Sequence, residues 1–267
     1  MEGIRRESAA VRDARTISPA AADGGATDGG AAAVAGTTLV VAGVPLVADL
    51  SGALWWPARR TLVVADLHLE KGSACAVRGA LLPPFDTAET LERLAWVIGF
   101  YDPTRVIALG DSFHDGEGAD RLATENRAHL GALQSGRDWV WIAGNHDPEP
   151  ARAVGGRFVD TLVDGPLLFR HEPSAASPAT GSLAAAVGEI AGHLHPCARI
   201  VQRGRSLTRR CFATDGRRLV MPAFGAYTGG LSVRHRAFAR VFGGDAFTTH
   251  LIGDSRLYTV PAVRCIA

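Results

Sequence analysis

Three unbroken apolar runs in this chain each stop at a short polar cluster, and that arrangement limits the fold more than any other feature. Thr61-Leu62-Val63-Val64-Ala65 leads into Asp66-Leu67-His68, and Val106-Ile107-Ala108-Leu109 leads into Gly110-Asp111. Trp139-Val140-Trp141-Ile142-Ala143 leads into Gly144-Asn145-His146-Asp147. Runs of this kind suit strands covered on both faces. Helical patterns lie between them. Asp86, with Glu89 three residues on, reads as an N-terminal cap, and Leu91, Leu94, Ala95 and Ile98 share one face before Tyr101-Asp102-Pro103 ends the helix. A second helix is expected from about Ala119 to Leu133, with Leu122, Leu130 and Leu133 turned inward. Alternating strands and helices make a layered α/β fold, in which ligands collect at the carboxyl ends of the strands.

The flanks extend this picture. Thr38 to Val47 reads as a hairpin, followed by Leu54-Trp55-Trp56-Pro57. Leu162 to Phe169, Glu189 to Ala191, Ala198 to Val201, Arg218 to Met221, and Ala246 to Tyr258 read as strands of a second sheet. Residues 1–36 are rich in Ala, Gly, Asp and Ser, too poor in apolar side chains to offset their ordering entropy, and read as a disordered tail before a domain spanning 37–267. Glu2, Glu7 and Asp13 argue against a transit peptide. Ser174 to Gly181 reads as a polar, mobile loop.

Lys and Arg total 28 against 27 Asp and Glu, a net charge of +1, which excludes a protein that coats nucleic acid through many phosphate contacts but leaves room for a local basic cleft. Cys75, Cys197, Cys211 and Cys265 form no C-x-x-C pair, so no disulfide framework is expected. With no secretion signal and no apolar run of membrane-spanning length, the chain reads as soluble and cytoplasmic.

Two more polar features follow apolar runs: His171 after Leu167-Leu168-Phe169-Arg170, and Gly192-His193-Leu194-His195 after Glu189-Ile190-Ala191. Taken singly, each cluster has an ordinary explanation, such as a helix cap, a turn or a structural histidine. Together they offer carboxylate, imidazole and amide oxygen at strand ends that can converge on one sheet edge. A carboxylate has lone pairs enough to bridge two ions. Imidazole with carboxylate suits Mn, Fe or Zn, and the lack of thiolate argues against a structural zinc site. Two such ions about 3.5–4 Å apart can clamp both oxygens of an in-line displacement.

The order D-x-H, G-D, G-N-H-D, H, G-H-x-H resembles the signature of calcineurin-like metallophosphoesterases. That resemblance implies a four-layer α/β/β/α sandwich that hydrolyses phosphate esters with two divalent ions. It would place Asp66, His68 and His195 on one ion and Asn145, His171 and His193 on the other, with Asp111 bridging. His146 would face the phosphate as general acid or charge stabiliser, with Asp147 orienting it. His114 and His129 are the alternatives to His171. Asp66 to Gly72, Gly110 to Asp115, Gly192 to Pro196 and Leu219 to Gly230 further resemble the bacterial DNA ligase-associated branch, described as a DNA-damage-response endonuclease. A DNA substrate and ligase and helicase partners are what that branch implies; manganese leads among the ions that suit these donors, ahead of iron or zinc, and single-stranded or flapped DNA is what a small nuclease with a short groove would take. Arg210 stands where the branch pattern has a proline before the cysteine.

Substrate contacts are expected from Lys71, His114 and Arg170, and the Arg199 to Arg210 stretch is either a phosphate-binding segment or a solvated loop. Trp55 and Trp56 fit core packing better than base stacking. The small residues of Pro222 to Gly225 and Thr228 to Gly230 either let backbone approach the metal site or form a tight turn. Two other functions compete with a DNA phosphodiesterase: a phosphodiesterase or phosphatase of a small nucleotide or phosphorylated metabolite, and a non-catalytic docking partner in a ligase/helicase repair complex. A full set of converging ligands argues against the last.

Overall fold

The structure, a computed structural model, describes residues 36–80, 82–146, 154–175 and 188–267. Residues 1–35, Asp147 and most of the expected Ser174 to Gly181 loop lie outside the described residues. The first sheet holds seven strands in sequence order: β1 (Gly36–Val41), β2 (Val44–Asp49), β3 (Leu54–Trp56), β4 (Thr61–Ala65), β5 (Arg105–Leu109), β6 (Asp138–Ile142) and β7 (Arg157–Val159). β1 to β4 pair antiparallel, whereas β4 to β7 run parallel. The second sheet holds β8 (Thr161–Asp164), β9 (Leu167–Arg170), β10 (Gly188–Ala191), β11 (Pro196–Gln202), β12 (Arg205–Thr214), β13 (Arg218–Val220), β14 (Leu231–Ser232), β15 (Thr248–Ile252) and β16 (Leu257–Pro261). Helices are α1 (Lys71–Val77), α2 (Asp86–Tyr101), α3 (Gly118–Arg121), α4 (Thr124–Gln134) and α5 (Arg236–Phe242).

The unbroken apolar runs are explained by what covers each face. Val63, Ala65, Ile107, Leu109, Val140 and Ile142 meet Phe169, Ile190, Phe212 and Met221 between the two sheets. Their alternate neighbours Leu62, Val64, Val106, Ala108, Trp139 and Trp141 pack under Leu91, Leu94 and Ile98 of α2 and Leu130 and Leu133 of α4. The outer face of the second sheet is closed by Phe238, Val241 and Phe242 of α5. Helices, sheet, sheet and helix give the four-layer sandwich expected from the sequence.

Several local expectations change. Asp86 is the first helical residue rather than the cap, and its carboxylate accepts the Gly72 N–H at 3.2 Å. Thr87 Oγ1 accepts the Glu70 N–H at 2.8 Å and donates to Glu70 Oε1 at 3.1 Å. The first turn of α2 therefore braces the loop that leaves β4. The expected second helix is two pieces, because Leu122 (ψ 119°) and Ala123 (ψ 148°) are extended and turn the Leu122 side chain into the core. Leu162 to Phe169 is a hairpin broken at Gly165-Pro166, and Ala246 to Tyr258 contains two strands, β15 and the start of β16. The Arg199 to Arg210 stretch is the β11–β12 hairpin rather than a loop. Trp56 lies in the core and Trp55 stacks on Tyr101 at 5.0 Å between ring centroids, so both tryptophans pack as expected. Among the described residues no helix is long and apolar enough to cross a membrane.

Candidate metal centre

Loops leaving β4, β5, β6, β9 and β10 meet at one edge of the sandwich. Backbone bonds hold them together: His68 N–H donates to Asp111 O at 2.9 Å, Leu69 N–H to Ser112 O at 2.9 Å, and His114 N–H to Leu69 O at 2.9 Å. The strand ladder thus continues past the strand ends. From the far side, Phe224 N–H donates to Ala65 O at 2.8 Å and Gly225 N–H to Asp66 O at 3.2 Å. A Cβ on Gly225 would collide with the carbonyl of Leu67. Of the two readings of the Pro222 to Gly225 block, close backbone approach is the one observed. Gly225→Ala is expected to shift the Asp66–His68 loop, lowering stability by about 1–3 kcal/mol and metal content with it. A parent-like denaturation midpoint and parent-like metal content would contradict this.

The ligand-type residues sit in unusual backbone. Asp66 (φ 53°), His68 (φ 44°), Asp111 (φ 44°), His193 (φ 68°) and His195 (φ 43°) all occupy the left-handed region. Each costs on the order of 1–3 kcal/mol for a residue with a Cβ, and such strain persists only where surrounding structure enforces it, most often at functional sites. Glycines make the room. A Cβ on Gly192 would lie 2.7 Å from Asp66 Oδ2, and one on Gly110 would collide with the His171 ring. His193 N–H in turn donates to both Asp66 oxygens, at 3.1 and 3.0 Å.

These side chains form two groups whose ligand atoms lie within 4.8 Å of one another, Asp66–His68–His195 and Asp111–His171–His193. In the first, His195 Nε2 is 3.4 Å from Asp66 Oδ1 and 3.3 Å from His68 Nε2. In the second, His171 Nε2 is 3.4 Å from Asp111 Oδ1, 3.2 Å from His193 Nδ1 and 2.9 Å from Asn145 Oδ1. Asp111 touches both groups, since its Oδ2 lies 3.8 Å from His68 Nε2.

Hydrogen bonds at the back of the rings decide what those atoms can be. His171 Nδ1 is 2.9 Å from Leu109 O, and a carbonyl only accepts, so Nδ1 carries the proton. In the neutral ring Nε2 is then a lone pair, facing the lone pairs of Asn145 and Asp111. His195 Nδ1 is likewise 3.3 Å from Gly229 O, which turns a lone pair at Nε2 toward His68 and Asp66. Acceptors converging on acceptors need a proton or a cation between them, and a divalent cation satisfies a whole group at once. Outer partners of this kind fix the tautomer of metal-bound histidines. The donors are imidazole, carboxylate and amide oxygen, with no thiolate, which suits Mn, Fe or Zn.

Proton affinities follow the same geometry. Burial works against charge on His171, yet its hydrogen bond to Asp111 and the fields of Asp66 and Asp111 prevail and push its pKa up to about 9. Burial likewise opposes charge on His195, and the Asp66 hydrogen bond outweighs it and raises the pKa. Burial, with His195 adding to it, pushes His68 down to about 3. Burial also opposes the Asp111 carboxylate, but hydrogen bonding and charge from His171 hold it below the usual carboxylate range. A cation at the second group must displace the proton on His171 Nε2. Apparent affinity should therefore climb as pH rises toward about 9, and binding near neutrality should release protons. Titration calorimetry in two buffers of different ionisation enthalpy reads that release, and identical heats would count against it.

A pocket of ≈ 230 Å³ opens over these groups, walled by His68, Asp111, Asn145 and His193, with Lys71 and His146 at its rim. His146 has a 42% exposed side chain; its Nδ1 donates to His114 O at 2.9 Å, leaving Nε2 3.9 Å from Asp111 Oδ2. Its N–H donates to Asp111 Oδ1 at 2.9 Å. Lys71 and His114 line the pocket, and Lys71 Nζ donates to Tyr227 O at 2.7 Å. Burial and the Lys71 charge lower the His114 pKa, which keeps that ring neutral. Arg170 lies outside the pocket wall, donating to Ser174 Oγ at 2.8 Å. His129 joins neither group, whereas His114 sits with His68 and His146. Thr228 and Gly229, from the Thr228 to Gly230 block singled out in the sequence, also line the pocket.

The calcineurin-like phosphoesterase profile matches residues 59–207, more than half of the 267-residue chain, and spans both groups. The chain belongs to the calcineurin-like phosphoesterase family. Pseudomonas putida nuclease MPE is similar to this phosphoesterase, with 28% identity and a TM-score of 0.63 over 84% of this chain and 100% of that one. Yfce, a phosphoesterase from E. coli, is a more distant likeness, with 13% identity and a TM-score of 0.38 over 76% of this chain and 98% of that one. No curated protein matches the sequence. This calcineurin-like phosphoesterase is thus a hydrolase of ester bonds from a metal-dependent family.

Proposed function

We propose that this phosphoesterase is a two-metal phosphodiesterase that cleaves DNA, single-stranded or flapped, in repair, with manganese as its usual ion. Asp111 carries the reading: one oxygen faces His171 and the other faces His68, the posture of a carboxylate shared between two ions. On this reading Asp66, His68 and His195 hold one ion, Asn145, His171 and His193 the other, and Asp111 joins them. Two bound cations would neutralise charge on the phosphate and supply a nucleophile from water at neutral pH.

The chain's own groups do the rest. Leu109 O and Gly229 O hold His171 and His195 in the tautomer that points Nε2 inward. The His114 carbonyl fixes the Nδ1 proton of His146 in the same way, so it is the doubly protonated ring that would give a proton from Nε2 to a leaving alkoxide or stabilise its charge. Lys71, at the pocket wall, adds positive charge where an anionic substrate enters. The likeness to a nuclease supports a nucleic-acid substrate. A ligase or helicase partner follows from the branch the motifs resemble and belongs to the same proposal.

Hydrolysis of bis-p-nitrophenyl phosphate and p-nitrophenyl phosphate, with Mn²⁺ added or chelated, tests the reading. Metal-dependent diester cleavage is expected and would justify single-stranded and flapped oligonucleotides as the next substrates. Cleavage of the monoester alone would move the small-metabolite reading ahead. A folded, metal-loaded protein inert on both would sink the proposal.

A further inference from the structure

A second pocket of ≈ 320 Å³ adjoins the metal centre, and His193 lies in the wall of both. Besides His193, this pocket is lined by Glu172, Pro173, Leu194 and Arg240 of α5. Other cations around the site are engaged. Lys71 holds Tyr227 O, Arg78 faces Asp115 at 3.8 Å, and Arg121 pairs with Asp115 at 2.6 Å. Arg240 is exposed and, among the described residues, makes no ion pair or hydrogen bond. Its place in the last turn of α5 complements the helix dipole, which accounts for a cation there but not for a pocket beside it.

We infer that this pocket is a second phosphate position, in which Arg240 holds the phosphodiester next to the one cleaved. The inference rests on the phosphodiesterase reading and extends it: a chain running from the metal centre across His193 would place its neighbouring phosphate at the Arg240 end. A guanidinium forks onto two phosphate oxygens and suits a fixed backbone contact. Glu172 lines the same pocket, so a phosphate held there meets one carboxylate as well as the guanidinium.

Arg240→Gln in the manganese-loaded full chain tests this, with a single-stranded oligothymidylate and bis-p-nitrophenyl phosphate as substrates. KM for the oligonucleotide should rise about tenfold, the contribution of one charge-assisted hydrogen bond. The slope of log KM against log salt should weaken by about 0.7, the share of one phosphate contact on single strands. Arg240→Lys should restore the slope, since it keeps the charge. Kinetics on bis-p-nitrophenyl phosphate, which has no neighbouring phosphate, should not move. A merely structural role would lower the melting temperature and leave the salt slope alone. Unchanged oligonucleotide KM and slope in Arg240→Gln would overturn the inference, as would a parent that cleaves bis-p-nitrophenyl phosphate but not the oligonucleotide. The first result leaves the proposed function standing and the second leaves a phosphodiesterase of some other substrate, whereas a parent inert on every diester takes down both readings.

Discussion

Asp111→Asn should fold like the parent and lose phosphoesterase activity by at least about 100-fold, the upper range for losing a ligand's outer partner and a lower bound for losing a shared ligand. The substitution keeps the shape of the side chain and one oxygen. That oxygen can still accept the His146 N–H, so the loop after β6 stays in place. The other position, Oδ2 in the parent, becomes an NH₂ donor aimed at His68 Nε2 in place of an acceptor. An ion shared through Asp111 then loses a charge and a bond together. The His171 pKa should also fall from about 9, because the Asp111 hydrogen bond and charge are prominent among the causes that raise it. Metal content by mass spectrometry, beside kcat on bis-p-nitrophenyl phosphate, decides the matter. Parent-like metal content together with parent-like kcat would exclude a shared role for Asp111.

His146→Ala should cost about 10²–10⁴-fold in kcat while leaving the metal content intact, the usual range for a positioned proton donor. His146 lies in neither of the two Asp-containing groups, and its ring reaches the pocket from the loop after β6, fixed by the His114 carbonyl. The loss should depend on the leaving group. p-Nitrophenolate departs without help from a proton, whereas the alkoxide of a sugar needs one. An oligonucleotide should therefore suffer more than bis-p-nitrophenyl phosphate. Equal losses on the two would assign His146 to charge stabilisation instead of proton donation.

Much of this architecture was readable because its central strands are apolar on both faces. β4, β5 and β6 leave no doubt about burial, and each is followed at once by polar residues that a sheet edge can gather. What escaped had no such pattern. The outer half of β12, Arg205 to Arg210, is polar throughout and is a strand because β11 pairs with it, not because of its own side chains. α1 and α5 are seven residues each, and α1 carries Gly72 inside it, so neither shows a clear helical period. Asp86 looked like a cap because a capping carboxylate and one that reaches a neighbouring segment are the same residue in a sequence.

The site divides in the same way. Ligand types show in the sequence, since aspartate and histidine at strand ends are distinctive. The acceptors that set their tautomers do not, because Leu109 O and Gly229 O are backbone carbonyls and every residue has one. Motif glycines were the available clue: Gly110 and Gly192 stand just before the candidate ligands Asp111 and His193 and leave space for His171 and Asp66.

The left-handed backbone at Asp66, His68, Asp111, His193 and His195 also bears on which ions the protein can accept. Because the loops are clasped to one another by main-chain bonds, the conformational cost of presenting the ligands is met when the chain folds and not when an ion arrives. Ligand groups set in advance in this way would form a cage with little freedom to change its bore. Calcium asks for oxygen distances of about 2.3–2.6 Å and magnesium for about 2.0–2.1 Å, and a flexible loop can breathe to suit either. A preset cage would adjust less, so ionic radius would weigh beside donor type in which cation it retains.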